Sequence, residues 1–212
     1  MSYKDYQNAR DAAWRILLDC KIDRLPTNLN LICSALGVRA TSYKANQALI
    51  KRKNLSEIVA KSDGLSFFAG DVPVALYNEA CVPERIRFTV AHELGHIVLG
   101  HVSRKTVTTV NREPNPRDDP KETAANQFAA RLLAPACVLW GLDIHSAEEI
   151  AKTCHISKQA AEFRANRMNT LYSRNKFLSS PLEQLLYQQF LPFIKERSRC
   201  WIPPRGGSPL SR

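Results

Sequence analysis

Apolar residues recur every three to four positions along most of the chain, a spacing typical of amphipathic helices. Residues 3–20 place apolar side chains such as Ala13 and Leu17 on one face and charges on the other, which predicts a first helix. A second, shorter helix is predicted after Thr27, whose hydroxyl is suited to cap its N-terminus, and Gly37 is suited to its left-handed end. The chain therefore begins with a pair of helices.

The pattern changes to short apolar runs before the middle of the chain. Residues 65–68 and 72–77 are apolar and lie between glycine-containing turns, so they predict two strands of a small antiparallel sheet. Pro73 cannot donate a backbone hydrogen bond, which predicts that the second strand lies at the edge of the sheet. An edge strand could pair with an extended peptide.

Helical spacing returns at Pro83 and predicts one long helix that ends at Gly100. Residues 104–120 contain three prolines and seven charged side chains, and we expect them to form an exposed loop. Strong helix formers follow from residue 121 and predict a further helix that ends before Pro135.

The last third of the chain predicts a helical subdomain. Ser146 and Glu149 match a capping box, and a turn at 155–156 leads to another helix from Ser157, which gives a helix-turn-helix outline. A last helix is predicted at 182–194. We therefore divide the chain into an N-terminal helix (1–24), a core (25–135), a helical C-terminal subdomain (136–195) and a basic, disordered tail (196–212).

Composition narrows the class of protein. Hydrophobic residues make up 44% of the 212 positions and charged residues 24%, as in folded globular proteins. We expect a cytoplasmic protein that does not enter membranes, because the chain has no signal-like start and no long apolar run. Its six cysteines include no C-x-x-C pair, and we expect them to be reduced and mostly buried. The formal charge is +10, which raises nucleic acid as a partner, but residues 171–212 hold +5 of it.

His92, Glu93 and His96 form the pattern H-E-x-x-H within the predicted long helix. One helical turn separates the histidines, so both imidazoles can bind one metal ion and the glutamate can act as a general base. About 0.006 such matches are expected by chance from this composition. The alternative is a helix with incidental histidines, but neighbouring apolar residues such as Val90 and Leu94 would bury them, and buried histidines need polar partners.

A catalytic zinc ion takes three protein ligands and keeps a fourth position for water. Glu122 is the only acidic residue in the next predicted helix and is our candidate for the third ligand. Its alternative role is to stabilise the positive end of that helix. Asn126 lies one turn later and could accept the outer ring N–H of a ligand histidine. The donor types favour zinc and leave manganese or iron open.

The segments RFTVAHELGHIVLGH and ETAANQFAARLLAP resemble the ImmA/IrrE family of metallopeptidases, and weaker similarity covers roughly residues 25–170. The resemblance implies that His92, His96 and Glu122 are zinc ligands and that Glu93 is catalytic. It also implies an α+β fold, a mainly helical zincin-like metallopeptidase with a small antiparallel sheet and a C-terminal helix-turn-helix-like subdomain.

The resemblance further implies a zinc-dependent endopeptidase that cleaves a protein substrate, a helix-turn-helix transcriptional repressor, and so acts as an antirepressor in phage, mobile-element or stress regulation. One alternative is a DNA-binding module with a structural metal site, and another is an antirepressor that works by binding alone. The residues that DNA contact would use are Lys158, Gln159, Arg164, Asn166 and Arg167. Four residues are candidates for stabilising an oxyanion, namely Tyr77, His101, His145 and His155.

Overall fold

The computed structural model describes residues 3–103, 108–111 and 119–199. Its helices are α1 (Tyr3–Asp19), α2 (Leu29–Ala35), α3 (Gln47–Arg52), α4 (Ser56–Lys61), α5 (Pro83–Val98), α6 (Pro120–Leu133), α7 (Ala136–Gly141), α8 (Ala147–Cys154), α9 (Lys158–Ser173) and α10 (Pro181–Arg199). Its strands are β1 (Arg39–Ser42), β2 (Ser62–Ala69), β3 (Val72–Tyr77) and β4 (Thr108–Asn111). The predicted α+β class, dominated by helices, is confirmed.

The two predicted strands, β2 and β3, pair antiparallel as expected, but the complete sheet is mixed. Its strand order is β1-β3-β2-β4, with β1 parallel to β3 and the other pairs antiparallel. Sequence reasoning missed β1 because its residues, RATS, are mostly polar and only partly buried, and therefore form no apolar run. The segments α3 and α4 lie between β1 and β2 in the stretch whose pattern was ambiguous.

Strand β3 is central, so the prediction that Pro73 marks an edge strand is wrong. Pro73 pairs with Phe68 of β2, but the pairing with β1 begins only at Val74, opposite Arg39. The missing N–H of the proline therefore costs no hydrogen bond to β1. Because β1 and β2 cover both sides of β3, this strand cannot add a substrate peptide.

The predicted loop at 104–120 contains the edge strand β4, which pairs with β2. Its residues Thr108, Thr109 and Val110 are β-branched and suit a short strand. Pro114 and Pro116 lie outside the described residues, and Pro120 begins α6, where a proline is tolerated because no intrahelical N–H bond is lost.

The structure also differs from the prediction at two helix ends. Asn28, and not Thr27, caps α2, since its side chain accepts a hydrogen bond from the Leu31 N–H, whereas the Thr27 hydroxyl donates to the carbonyl of Leu132. Helix α10 continues to Arg199 and so includes the first residues of the predicted tail, while residues 200–212 lie outside the described part. The capping box at Ser146 is confirmed.

Helix α5 lies between the sheet and α6, and both contacts are close. A Cβ added to Gly95 of α5 would lie 3.1 Å from Phe128 Cδ1 and 3.2 Å from the Ala125 Cα on α6. On the other side, a Cβ at Gly64 of β2 would overlap the Thr89 Cγ2 and lie 3.0 Å from a carboxylate oxygen of Glu93. The central turn of α5 is thus enclosed by neighbouring backbone.

The hydrophobic core surrounds this arrangement. One cluster of buried side chains joins α1 and α2 to α5, α6 and the C-terminal helices, and a smaller cluster fills the far side of the sheet around Leu65, Phe67 and Leu76. In the described part of the chain, no helix has the length and apolar character to cross a membrane.

We predict that Gly64→Ala lowers the free energy of unfolding by about 1–3 kcal/mol, because the new methyl group overlaps a stiff threonine side chain. Urea denaturation measures the change. The double variant Gly64→Ala/Thr89→Ser removes the overlapping methyl group and should recover more than half of the loss. Equal stability of wild type and Gly64→Ala would contradict the close packing of β2 on α5.

Candidate metal centre

Three polar side chains converge between α5 and α6. The Nε2 atoms of His92 and His96 lie 2.9 Å apart, and the Glu122 carboxylate lies 3.3 Å from the first and 3.2 Å from the second. Both histidines are almost fully buried, with 1% and 0% exposure. The helical turn between the histidines and the packing of α6 on α5 bring them to one point, as the sequence predicted.

Asn126 orients His92. Its Oδ1 lies 2.9 Å from His92 Nδ1, and since an amide oxygen only accepts hydrogen bonds, Nδ1 must carry the proton. When this ring is neutral, Nε2 carries a lone pair that faces His96 and Glu122, and when the ring is protonated, its Nε2–H donates to the Glu122 carboxylate. The predicted contact between Asn126 and the outer ring nitrogen of a histidine is confirmed.

His101 is the matching partner of His96, a role that sequence reasoning missed. The two Nδ1 atoms lie 3.1 Å apart. Gly100, with φ of 71°, reverses the chain after α5, and the His101 N–H donates to the carbonyl of His96. Burial, followed by the nearby His96, lowers the pKa of His101 to about 4. A neutral His101 can accept the Nδ1 proton of His96 and leave its Nε2 lone pair facing inwards.

The three side chains fit a divalent metal ion. Each offers one ligand atom, and these atoms lie within 4.8 Å of one another. Tetrahedral ligands of zinc, at about 2.0–2.1 Å from the ion, lie about 3.3 Å apart, close to the observed separations of the imidazole and carboxylate atoms. Two inward nitrogen lone pairs beside a carboxylate attract a cation, and zinc prefers nitrogen and oxygen ligands of this kind.

Charge in the cluster is concentrated on Glu122. Burial opposes its ionisation, but hydrogen bonds from His92 and His96 outweigh burial and lower its pKa to about 2. Burial is also the largest influence on His92, yet the carboxylates of Glu122 and Glu93 raise its pKa overall. For His96, burial prevails and lowers the pKa. Glu122 is therefore an anion over the whole neutral range.

Glu93 lies beside the cluster on the sheet side of α5. It is fully buried, and neither carboxylate oxygen has a hydrogen-bond partner of good geometry among the described residues. Burial raises its pKa to about 7, while the charge of His92 and the hydroxyl of Ser66 act in the opposite direction. A carboxylate that titrates near neutral pH suits proton transfer.

The four candidates for an oxyanion role lie in different places. Only His101 directly contacts a member of the histidine pair. Tyr77 ends β3 opposite Gly64. His145 bonds to Asp143 at 2.8 Å and stacks on Tyr172, and His155 ends α8 in a left-handed conformation. These last two therefore belong to the C-terminal helices.

The fold and this cluster define a zincin-like domain with a His-His-Glu group on two packed helices. A peptidase family model described as the IrrE N-terminal-like domain matches residues 50–166, more than half of the chain. The chain belongs to the ImmA/IrrE family. No curated protein matches it.

We predict that Asn126→Ala weakens metal binding about 10- to 100-fold, because the tautomer and the orientation of His92 are no longer fixed. Competition with a chelator of known zinc affinity measures the change. Asn169→Ala, at an exposed position on α9, is the matched control and should bind zinc like wild type. Equal affinities for all three proteins would show that Asn126 does not orient a ligand.

We predict that the contribution of Glu93 to the stability of the metal-free protein falls between about pH 4.5 and 7, because this side chain must ionise while buried. The raised pKa means that the folded state holds this proton more tightly than the unfolded chain, so the stabilisation is complete at low pH and is lost as the pH rises. Glu93→Gln removes this dependence. The free energy of unfolding of Glu93→Gln minus that of wild type should therefore increase by up to about 3 kcal/mol between low and neutral pH.

Urea denaturation at a series of pH values, with a chelator present, measures this difference. Glu162→Gln, at an exposed position on α9, is the control and should differ from wild type by the same amount at each pH. A pH-independent difference between Glu93→Gln and wild type would contradict the raised pKa.

Proposed function

We propose that the protein is a zinc-dependent endopeptidase that cleaves a helix-turn-helix transcriptional repressor. The observation that carries the proposal is the fully buried carboxylate of Glu93 beside the convergent His92, His96 and Glu122. Membership of a peptidase family supports the reaction class. A cytoplasmic location, where such a repressor acts, belongs to the same proposal.

In this proposal His92, His96 and Glu122 hold the ion. Zinc bound by three protein ligands acidifies water and polarises a carbonyl group. Asn126 and His101 keep the two imidazole rings in the tautomer that binds metal.

Glu93 supplies the proton transfers. Its carboxylate takes a proton from the attacking water and passes it to the nitrogen of the leaving amine, which would otherwise depart as an unstable anion. A pKa near 7 lets the same oxygen accept and release the proton with little free-energy cost. Gly64 leaves no side chain between β2 and this carboxylate, so α5 can hold it in a fixed position.

The same geometry argues against a purely structural metal site. Structural zinc sites are closed by four protein ligands, whereas the described residues form a group of three. The DNA-binding alternative needs an exposed recognition helix. Of its five proposed contact residues, Lys158, Gln159 and Asn166 are exposed, but Arg164 is only 6% exposed and lines a cavity together with residues of α5 and α6.

We predict that wild-type protein binds about one zinc ion per chain and cuts a helix-turn-helix repressor supplied as substrate. Glu122→Ala should lose the metal, because a histidine pair alone lacks the charged ligand. Glu93→Gln should keep the metal but cleave about 10²- to 10⁴-fold more slowly. Metal analysis and mass spectrometry of the repressor fragments measure the two effects.

Glu162→Gln is the matched control, since it removes an exposed carboxylate on α9, and it should retain both metal and cleavage. Zinc that remains in Glu122→Ala would exclude this residue as a ligand. Repressor inactivation that survives in Glu93→Gln would exclude proteolysis as the mechanism and favour an antirepressor that acts by binding alone.

A further inference from the structure

A groove of about 390 Å³ lies between β1 and α3, at the opposite edge of the sheet from β4. Its walls carry Arg39, the first residue of β1, and Arg52, the last residue of α3. The side-chain amide of Asn46 donates to the Thr41 Oγ1 at 2.8 Å and to the Ser42 carbonyl at 2.9 Å. These hydrogen bonds tie the start of the helix to the strand and hold the two walls of the groove together.

The residues around this groove carry half of the excess charge of the chain. Residues 39–61 contain six lysines and arginines and one acidic residue, which gives +5 of the total of +10. Since residues 171–212 hold the other +5, the rest of the sequence is electrically balanced. The two groove arginines and three lysines next to groove residues in the sequence are all exposed. We call these five the basic surface: Arg39, Lys44, Lys51, Arg52 and Lys53.

The charge of the basic surface is not neutralised by direct contacts. Within the described part of the chain, none of its five side chains forms an ion pair with a carboxylate. In contrast, Arg85 pairs with Asp63 through its Nε at 2.7 Å. Glu79 approaches the basic surface, but its carboxylate accepts a hydrogen bond from the backbone N–H of Lys44, at 3.4 Å. The five cations can therefore contact an anion from outside the protein.

The composition of the basic surface favours nucleic acid over a protein or a membrane. Protein interfaces are depleted in lysine and use apolar anchors, and membrane-bound surfaces insert apolar side chains. Three of the five residues here are lysines, and no large apolar side chain of 39–61 is exposed. Interfaces with DNA, in contrast, are polar and strongly positive.

The surroundings also favour contact with phosphates over contact with bases. Binding of single strands relies on exposed aromatic rings on which bases stack. The ring of Phe67 is only 1% exposed, and the ammonium group of Lys53 lies over it, 5.5 Å from its centroid. Arginine and lysine, in contrast, are the residues that contact the phosphates of a duplex, and the planar guanidinium fork matches phosphate oxygens.

We propose that the basic surface binds the phosphate backbone of duplex DNA without selecting its sequence. Its two elements, four and six residues long, extend over roughly 9–13 Å, enough to follow several phosphates of one strand. This role differs from that of a recognition helix, because no base is read. None of the five residues belongs to the candidate metal centre, so DNA binding does not require the proposed peptidase activity. If both proposals hold, the enzyme and a DNA-bound repressor would share one duplex.

The test measures binding of full-length protein to fluorescein-labelled short duplexes of two unrelated sequences by fluorescence anisotropy. We expect the two dissociation constants to agree within about threefold, because phosphate contacts carry no sequence information. The affinity should fall steeply between about 0.05 and 0.2 M NaCl, with a slope that counts the phosphates contacted.

A double variant assigns the binding to the groove. Arg39→Gln/Arg52→Gln should raise the dissociation constant about 10- to 100-fold at 0.1 M NaCl and reduce the salt slope by about 1.8, the loss of two phosphate contacts. Arg15→Gln/Arg174→Gln is the matched control, because it removes the same charge from exposed positions that do not line the groove. It should keep the affinity and the slope of wild type within about threefold and about 0.5.

Four results would overturn the proposal. They are the absence of salt-dependent binding, an equal loss in both double variants, a strong preference for one of the two sequences, and displacement of the duplex by polyglutamate or phosphatidylserine vesicles at lower charge concentrations than by unlabelled duplex. The last result would assign the surface to an acidic protein or a membrane.

Zinc content and repressor cleavage, measured on the same proteins, separate this proposal from the proposed function. Both should be unchanged in Arg39→Gln/Arg52→Gln when the repressor is supplied without DNA. DNA binding without any cleavage by wild type would refute the peptidase alone. Cleavage by a protein that does not bind the duplex would refute the DNA-binding surface alone.

Discussion

The structure depends on the burial of one polar helical turn. Helix α5 carries His92, Glu93 and His96 into the interior, where each polar atom needs a partner or a function. The sheet and α6 can enclose this turn only because Gly64 and Gly95 present no side chain at the two contacts. The same close packing brings β2 against Glu93 and aligns α6 so that Glu122 reaches both histidines.

Burial has opposite electrostatic effects on the two glutamates. Glu122 lies between two imidazoles, which keep it ionised, whereas Glu93 faces the sheet and has a pKa raised to about 7. One carboxylate is thus suited to hold a cation and the other to carry a proton. Asn126 and His101 complete the arrangement, since they accept or share the outer protons of the rings and leave the inner nitrogens as donors of electron pairs.

The C-terminal helices pack on the hydrophobic core, and α9 also lines the cavity next to the candidate centre. The capped turn between α8 and α9 has the outline of a DNA-reading motif, but α9 directs basic side chains into a cleft beside the candidate centre. In this fold residues of α5 and α6 line the same cavity as Arg164, which is largely buried.

The sequence by itself determined the long helices, the strand pair β2 and β3 and the types of side chain at the candidate centre. Helical period, caps and the H-E-x-x-H spacing place two histidines and a glutamate on one helix, and the single acidic residue of the next helix pointed to Glu122.

The sequence did not determine the strand order, the central place of β3, the short strand β4 or the pairing of His96 with His101. These features depend on long-range contacts. A polar strand such as β1 has no alternating apolar pattern to detect. Pro73 costs no hydrogen bond to β1 because the pairing between β3 and β1 begins at the next residue, Val74. Only the tertiary packing buries Glu93 away from water. It also brings Arg164 and Arg167 of α9 to a cavity that residues of α5 and α6 line as well.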